Sequence, residues 1–430
     1  MTTAADPAGA APASGTRTAP HTRGPVRRAE RALAPDLARG AMLLLIALAN
    51  SIGVFFANAP GLDPTPHGAE RPWIVLLFLF VHSRAFPLFA FLFGYGLVQL
   101  AARQDAAGAT PREVRRILVR RNAWLLAFGA VHGVLLYSGD FLGAYGLVGI
   151  AFTLLLLRRS DRLYRFVPVL IALEVLASLA LLVLVTLRLL SPGPAGPADA
   201  AAVPTSPMPS VLAPTFLDGV VARLGEWPAH TLTVLPFILF VWIGAWAARR
   251  RILEQPGDHL TLLRRGAAGG LTIGALGGLP MGLLAAGWLT VDAGTAGLVT
   301  TLYNASGTLG AIGWTCLFGL LAHRITVSRA ARSASGRAAD GGRAAALVDA
   351  VAALGRRSLS GYLVQSVAWL VLAAPFLLDL PRHAASPTFA AAGCAVAVWA
   401  LTVVGAAVLE RRGDRGPAEN LLRRLTYGRR

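Results

Sequence analysis

Apolar runs of about bilayer length recur through this chain, and its basic residues crowd into alternate breaks between them. That pattern leaves few folds open. Inside hydrocarbon a backbone must satisfy its own polar groups, which only helices and closed barrels do, and runs of this length are helices. The expected spans lie at about Leu37 to Ala57, Arg84 to Ala102, Ala123 to Tyr137, Phe141 to Leu157, Phe166 to Leu190, His230 to Ala248, Gly266 to Leu289, Leu298 to Ala322, Ser358 to Leu378 and Thr388 to Leu409. The chain therefore reads as an all-α polytopic integral membrane protein of about ten transmembrane helices. With the loops assigned alternately, one side keeps most of the Arg residues and the other holds only Arg71, Arg223 and Arg382. Basic loops stay inside, which places both termini in the cytoplasm.

The composition agrees and removes other classes. Hydrophobic residues make up 55% of the 430, charged residues 14%, and the mean hydropathy is +0.58, which is not the balance of a soluble enzyme. A net charge of +18 would suggest nucleic acid if it formed one patch. Here it is spread in short clusters, so no nucleic-acid partner is expected. Cys316 and Cys394 each fall in an apolar run, which supports neither a disulfide framework nor a metal site, and no metal is expected.

Four regions follow from this patterning. Residues 1–35 are rich in Ala, Pro, Thr and Arg with no apolar core of a signal peptide, and read as a disordered basic cytoplasmic arm. Residues 36–190 form an N-terminal five-helix half. Residues 191–228 hold a Pro- and Ala-rich linker and then Val211 to Trp227, a segment expected along the outer interface. Residues 229–430 form a C-terminal five-helix half. Its tail, RGPAENLLRRLTYGRR, opens on Pro417 and mixes Leu421, Leu422, Leu425 and Tyr427 with Arg, an amphipathic helix expected on the inner leaflet.

Ionisable residues inside the apolar runs are the candidates for function, because they are costly there. Ser138, Gly139 and Asp140 are all that separates two apolar runs, which makes a tight hairpin with His132, Asp140 and Tyr145 inside it or at its lip. His132 lies roughly 12 Å from Asp140 along a helix of 1.5 Å rise, so both can face one cavity. The plainer reading is a helix-to-helix hydrogen bond for His132 and a cap for Asp140. On the first helix Asp36, Arg39, Leu43 and Asn50 share one stripe. The run from Trp73 to Ala102 is long for one span and breaks at His82, Ser83, Arg84 and Pro87. Trp73 to Val81 is expected as an interfacial lead-in, with Arg84 near the outer surface, either snorkelling or meeting an anionic ligand. Glu174, about 12 Å into its helix, is expected to face other helices or to be protonated. Ser358, Tyr362, Gln365 and Trp369 make a polar stripe of the kind that holds membrane helices together.

Taken in order, Asp36 with Ala38-Arg39-Gly40 and Asn50, FPLFAFLFGYG at Phe86 to Gly96, His132 with GDFLGAYGLVG, GRRSLSGYLVQS, and RGPAENLLRRLTYG resemble the YeiB-like family of domain of unknown function 418. The resemblance runs from Asp36 to Gly428. One departure is Gly361, where that family usually has Asn before the Tyr. The Asp and Arg-Gly opening of the first helix is also distantly similar to the transmembrane acyltransferase superfamily, which includes the acyltransferase-3 and heparan glucosaminide N-acetyltransferase-like proteins. That similarity implies a cytoplasmic acyl-CoA co-substrate and a sugar, lipid or small-molecule acceptor outside, in a bacterial cytoplasmic membrane whose lipids are the other partner. It implies no bound cofactor. Acyltransferase-3 members place a catalytic His where this chain has Asn50, whereas the heparan type also has Asn there. His132, or alternatively His82, would then serve as base with Asp140 as its orienting acid and Tyr145 beside them. Asp36, Arg39, Asn50 and Arg84 would belong to the donor side or entrance. The alternative function is a transporter or flippase of a lipid-linked or small amphipathic substrate.

Overall fold

A computed structural model describes residues 31–191, 203, 205–335 and 342–428. The basic arm up to residue 30 and most of the Pro- and Ala-rich linker lie outside these. The described chain is almost wholly helical, with one two-residue antiparallel pairing of Asn58–Ala59 with Ser206–Pro207.

The helices are, in order, α1 Leu33–Phe55, α2 Glu70–Phe80, α3 Ala85–Ala106, α4 Pro111–Leu135, α5 Phe141–Leu155, α6 Asp161–Tyr164, α7 Phe166–Leu190 and α8 Phe216–Thr233. They continue with α9 Ile238–Arg249, α10 Leu260–Ala285, α11 Ala293–Ala334, α12 Gly342–Arg356, α13 Ser358–Ala373, α14 Leu380–His383, α15 Pro387–Arg411 and α16 Pro417–Tyr427. Seven described stretches are long and apolar enough to cross a membrane, and α5 and α13 are shorter apolar helices. Every expected span is helical, but this is not a count of ten. In α4 the first half carries Arg112, Arg115, Arg116, Arg120 and Arg121, so only its later turns are apolar.

Local chemistry explains the boundaries near the site. α4 starts in a capping box: Thr110 Oγ1 accepts from Glu113 N at 3.3 Å, Glu113 Oε2 accepts from Thr110 N at 2.7 Å, and Pro111 opens the helix. α5 starts on Asp140, whose carboxylate accepts from Leu142 N at 2.9 Å and Gly143 N at 2.7 Å. α2 and α3 are parted by a turn at Val81 to Arg84, where Ser83 takes a φ of 59°.

α1 is the hub, packed by α3, α11, α12, α13 and α15. The interior lacks a strong hydrophobic drive between helices in lipid, and small residues let backbones approach instead. α10 and α11 show this best: a Cβ on Gly274 would stand 2.8 Å from Gly310 Cα. Helices from either side of the linker interleave, as α3 packs on α9 and α2 on α10. α2 is therefore not an interfacial lead-in, for Ile74, Leu77 and Phe78 are buried. By contrast α7 shows its apolar side chains outward, Leu173, Leu176 and Val183 among them, with Glu174 only partly covered. Arg31 before α1 and Arg415 before α16 line one cavity, so the two ends of the described chain meet at the Arg-rich end of the bundle.

Candidate functional site

The hairpin of α4 and α5 gathers the first set of residues. Gly129 and Gly143 bring the two helix backbones into contact, which sets His132, in the last turn of α4, against Asp140, the cap of α5. His132 Nδ1 stands 2.9 Å from Asp140 Oδ1, and both side chains are buried. The ring is turned so that this contact is not a formed hydrogen bond, and Nε2 has no hydrogen-bond partner among the described residues. Asp140 also accepts from Trp227 Nε1 at 3.3 Å. α8, expected along an interface, instead closes over the hairpin: Arg223 donates to Val134 O at 2.8 Å and Leu135 O at 3.3 Å, and Trp227 packs on Gly133. Arg223 is buried, not a loop charge in solvent. His230 meets Phe141 edge-on at 5.1 Å between centroids and lies within the field of Asp140.

The second set surrounds a cavity of about 490 Å³ that runs from the Arg-rich end toward the hairpin. Arg31, Arg39, Arg121, Arg356, Arg357, Arg415 and Arg423 line it, facing Glu410, Asp414 and Glu419. Further along, Leu43, Ile46, Phe89, Phe93, Leu125 and Leu142 make its wall apolar. Asp36 ties the mouth together, 3.4 Å from Arg31, 3.5 Å from Arg39 and 4.0 Å from Arg356. Glu410 does the same for Arg356 at 2.8 Å and Arg357 at 2.6 Å. Arg39 also donates to Leu92 O at 3.1 Å. In the connection after α9, Glu254 accepts from Gln99 Nε2 at 2.7 Å and from the Tyr95 hydroxyl, and burial pushes its carboxyl up to about 7.

Tyr362 joins the two sets. It lines the cavity, its ring lies 5.2 Å from that of His132 between centroids, and its hydroxyl accepts from Phe141 N at 3.5 Å. Tyr145 also lines the cavity, but its hydroxyl donates to Phe86 O at 2.9 Å. Among the residues singled out from sequence, Asp36, Arg39, Tyr145, Ser358 and Tyr362 gather around the cavity, with His132 and Asp140 just beyond Tyr362. Gln365 donates to Leu43 O at 3.2 Å, holding α13 to α1, and Trp369 is buried.

The other candidates lie elsewhere. Asn50 is buried in α1 and does not line the cavity. Arg84, expected near the outer surface, is fully buried: it donates to His82 O at 2.8 Å and to Gly274 O, and stacks on Tyr303 at 5.1 Å. It thus pins the α2–α3 turn to α10 and α11, and His82 packs on Phe78 beside it. The residues missed from sequence are Trp227 and His230 at Asp140, and Arg31, Arg121, Arg356, Arg357, Glu410 and Glu419 at the cavity. The Arg clusters carried no distinct signal, since basic residues at helix ends already mark the inner side of any membrane protein.

With this geometry in place, comparison with known proteins adds a family. Residues 247–429 match the family described as protein of unknown function (DUF418). The uncharacterized protein YeiB of Escherichia coli (strain K12) is 36% identical over 125 residues, covering 28% of this chain and 30% of that protein. The uncharacterized protein YxaH of Bacillus subtilis (strain 168) is 38% identical over 87 residues, 20% of each. An uncharacterized 39.9 kDa protein from the amylase 3′ region of Bacillus acidopullulyticus is 34% identical over 128 residues, 29% of this chain and 34% of that one. The matches thus span about a third or less of these relatives' length.

Proposed function

We propose that this YeiB-like protein of the DUF418 family is a membrane acyltransferase, taking an acyl group from a cytoplasmic acyl-CoA-like donor and passing it to an acceptor presented from outside. One observation carries the reading: a cavity with a guanidinium-lined mouth and an apolar wall reaches Tyr362, whose ring abuts a buried His132–Asp140 pair. The mouth suits the phosphates of a carrier, and the wall suits a pantetheine arm or acyl chain. Because basic loops stay inside, the Arg-rich end is the cytoplasmic one.

The chemistry follows from which nitrogen of His132 is free. Nδ1 stands 2.9 Å from Asp140 and neither ring nitrogen has a formed hydrogen bond among the described residues, so a small ring rotation would seat Nδ1–H on Asp140 and leave Nε2 to take a proton. An acceptor hydroxyl or amine attacks the thioester carbonyl, the new C–O or C–N bond forms, and the C–S bond breaks. The acceptor's proton goes to Nε2 and from there to the departing thiolate, which leaves as free CoA thiol. Asp140 stabilises the imidazolium during transfer without taking the proton itself. Its backbone N–H bonds at the start of α5 keep it fixed.

Thiol release from acetyl-coenzyme A by the purified protein, with a lipid extract as the source of acceptor, tests the reading. Movement of a lipid-linked substrate across vesicles with no thiol release would favour transport and sink the transferase.

A further inference from the structure

α13 follows Arg356 and Arg357, and its first turn offers backbone amides to whatever lies at its start, as a helix N-terminus does. Those amides already hold an anion from a distant part of the chain. Glu419 of α16 accepts from Leu359 N at 2.8 Å and Ser360 N at 3.0 Å through Oε1, and from the Ser360 hydroxyl at 2.5 Å through Oε2. Ser360 Oγ in turn accepts from Ala418 N at 3.1 Å. Two amides and a hydroxyl at a helix N-terminus, flanked by guanidinium groups, are the coordination that receives a phosphate.

The cavity is the independent observation. It opens beside this clasp, and its mouth carries more guanidinium groups than carboxylates. α16 forms part of its wall through Leu422, Arg423, Thr426 and Tyr427, so the tail helix is docked over the cavity. The connection to α15 has a pivot in Gly413, at a φ of 74° that disfavours any side chain, and Gly416 follows it.

Resting on the donor reading of the cavity, we propose that the α13 N-terminus, with Arg356, Ser358 and Ser360, is a phosphate-binding site that Glu419 occupies in the ligand's place, holding α16 as a lid. A phosphate-bearing ligand displaces the Glu419 carboxylate, α16 swings on its glycine pivot, and the mouth widens. The resting state is therefore self-inhibited by its own carboxylate.

Full-length protein in lipid nanodiscs, with coenzyme A and inorganic pyrophosphate as probes, decides the matter. Glu419→Gln should bind both probes about tenfold more tightly, since the amide gives up the charge that competes with phosphate. Pyrophosphate should also speed hydrogen exchange along α16 in the unsubstituted protein. Unchanged or weaker binding by Glu419→Gln, unaltered exchange at saturating pyrophosphate, or no binding of either probe to either protein would each overturn the proposal. A disulfide between Ser360→Cys and Glu419→Cys, in a background lacking Cys316 and Cys394, gives a second route. The oxidised form should exclude coenzyme A and the reduced form admit it; equal binding by both refutes the lid. Pyrophosphate opening α16 in a protein that transfers no acyl group keeps the lid and sinks the transferase, whereas acyl transfer by the oxidised form does the reverse.

Discussion

Replacing His132 by Gln separates a catalytic from a structural imidazole, because the two roles predict losses of different size. Among the described residues His132 makes no formed hydrogen bond through either ring nitrogen; it stands 2.9 Å from Asp140 and against the ring of Tyr362. Truncating it to Gln should therefore cost about 1 kcal/mol of stability, the scale of one ordinary polar contact. Against a total of roughly 5 to 15 kcal/mol, that leaves the protein folded. Loss of a general base removes about 100- to 10,000-fold of rate, which at 1.36 kcal/mol per decade is roughly 3 to 5 kcal/mol of barrier. The assay pairs thiol release from acetyl-coenzyme A with a melting curve on the same sample. Asp140→Asn sets the scale between, since Asn caps α5 about as well as Asp but cannot stabilise the imidazolium, and a trace of activity should remain. Full turnover in His132→Gln, or a rate loss no larger than the fraction unfolded, would refute the assignment and leave His82 to be tested.

Four further outcomes follow from the geometry. Arg39→Gln should weaken coenzyme A binding at least about tenfold by equilibrium dialysis, the usual scale of a lost charge-assisted contact, while Asp36→Asn, which removes the carboxylate that Arg31, Arg39 and Arg356 share, should lower the melting temperature as well. Gly274→Ala should cost about 1 to 3 kcal/mol by thermal unfolding, because its methyl would meet Gly310 Cα at 2.8 Å. Glu254 binds its proton more tightly folded, at about 7, than at the ordinary 4.5, so between those values the folded state holds the extra proton and stability falls as pH rises; Glu254→Gln should flatten that slope in melting curves taken across the window. Leu212→Cys, in a background lacking Cys316 and Cys394, should react with an impermeant maleimide in intact cells, and labelling only after lysis would invert the topology.

Much of the bundle was legible because hydropathy and length are properties of single segments. The α4–α5 hairpin is the clearest case: apolar runs parted by Ser138, Gly139 and Asp140 can hardly do other than turn, and an Asp before an apolar run is a cap. What sequence could not supply was depth and neighbour. Arg84 reads identically whether it snorkels or is buried, since the difference lies in Gly278 and Gly310, which make room for it, and in the Gly274 carbonyl that accepts from it, all on helices far along the chain. The same holds for Trp227, a residue of an ordinary amphipathic segment until Gly133 admits its ring beside Asp140. At the cavity the difficulty was degeneracy: Arg356 and Arg357 obey the inside-positive rule whether they meet solvent, lipid phosphate or a ligand. The pattern of α16 reads correctly as amphipathic, but it does not say that α4 and α13 are its neighbours.

Tyr362 also bears on the membrane voltage. Its ring is part of the cavity wall and also lies against the imidazole of His132. A membrane holding 100 mV stores about 2.3 kcal/mol for each elementary charge that crosses it, and a water-filled path through the bundle would drain that store. On the proposed transfer reaction, the aromatic ring shared by the cavity wall and the buried imidazole is where such a path would have to be blocked for that voltage to survive.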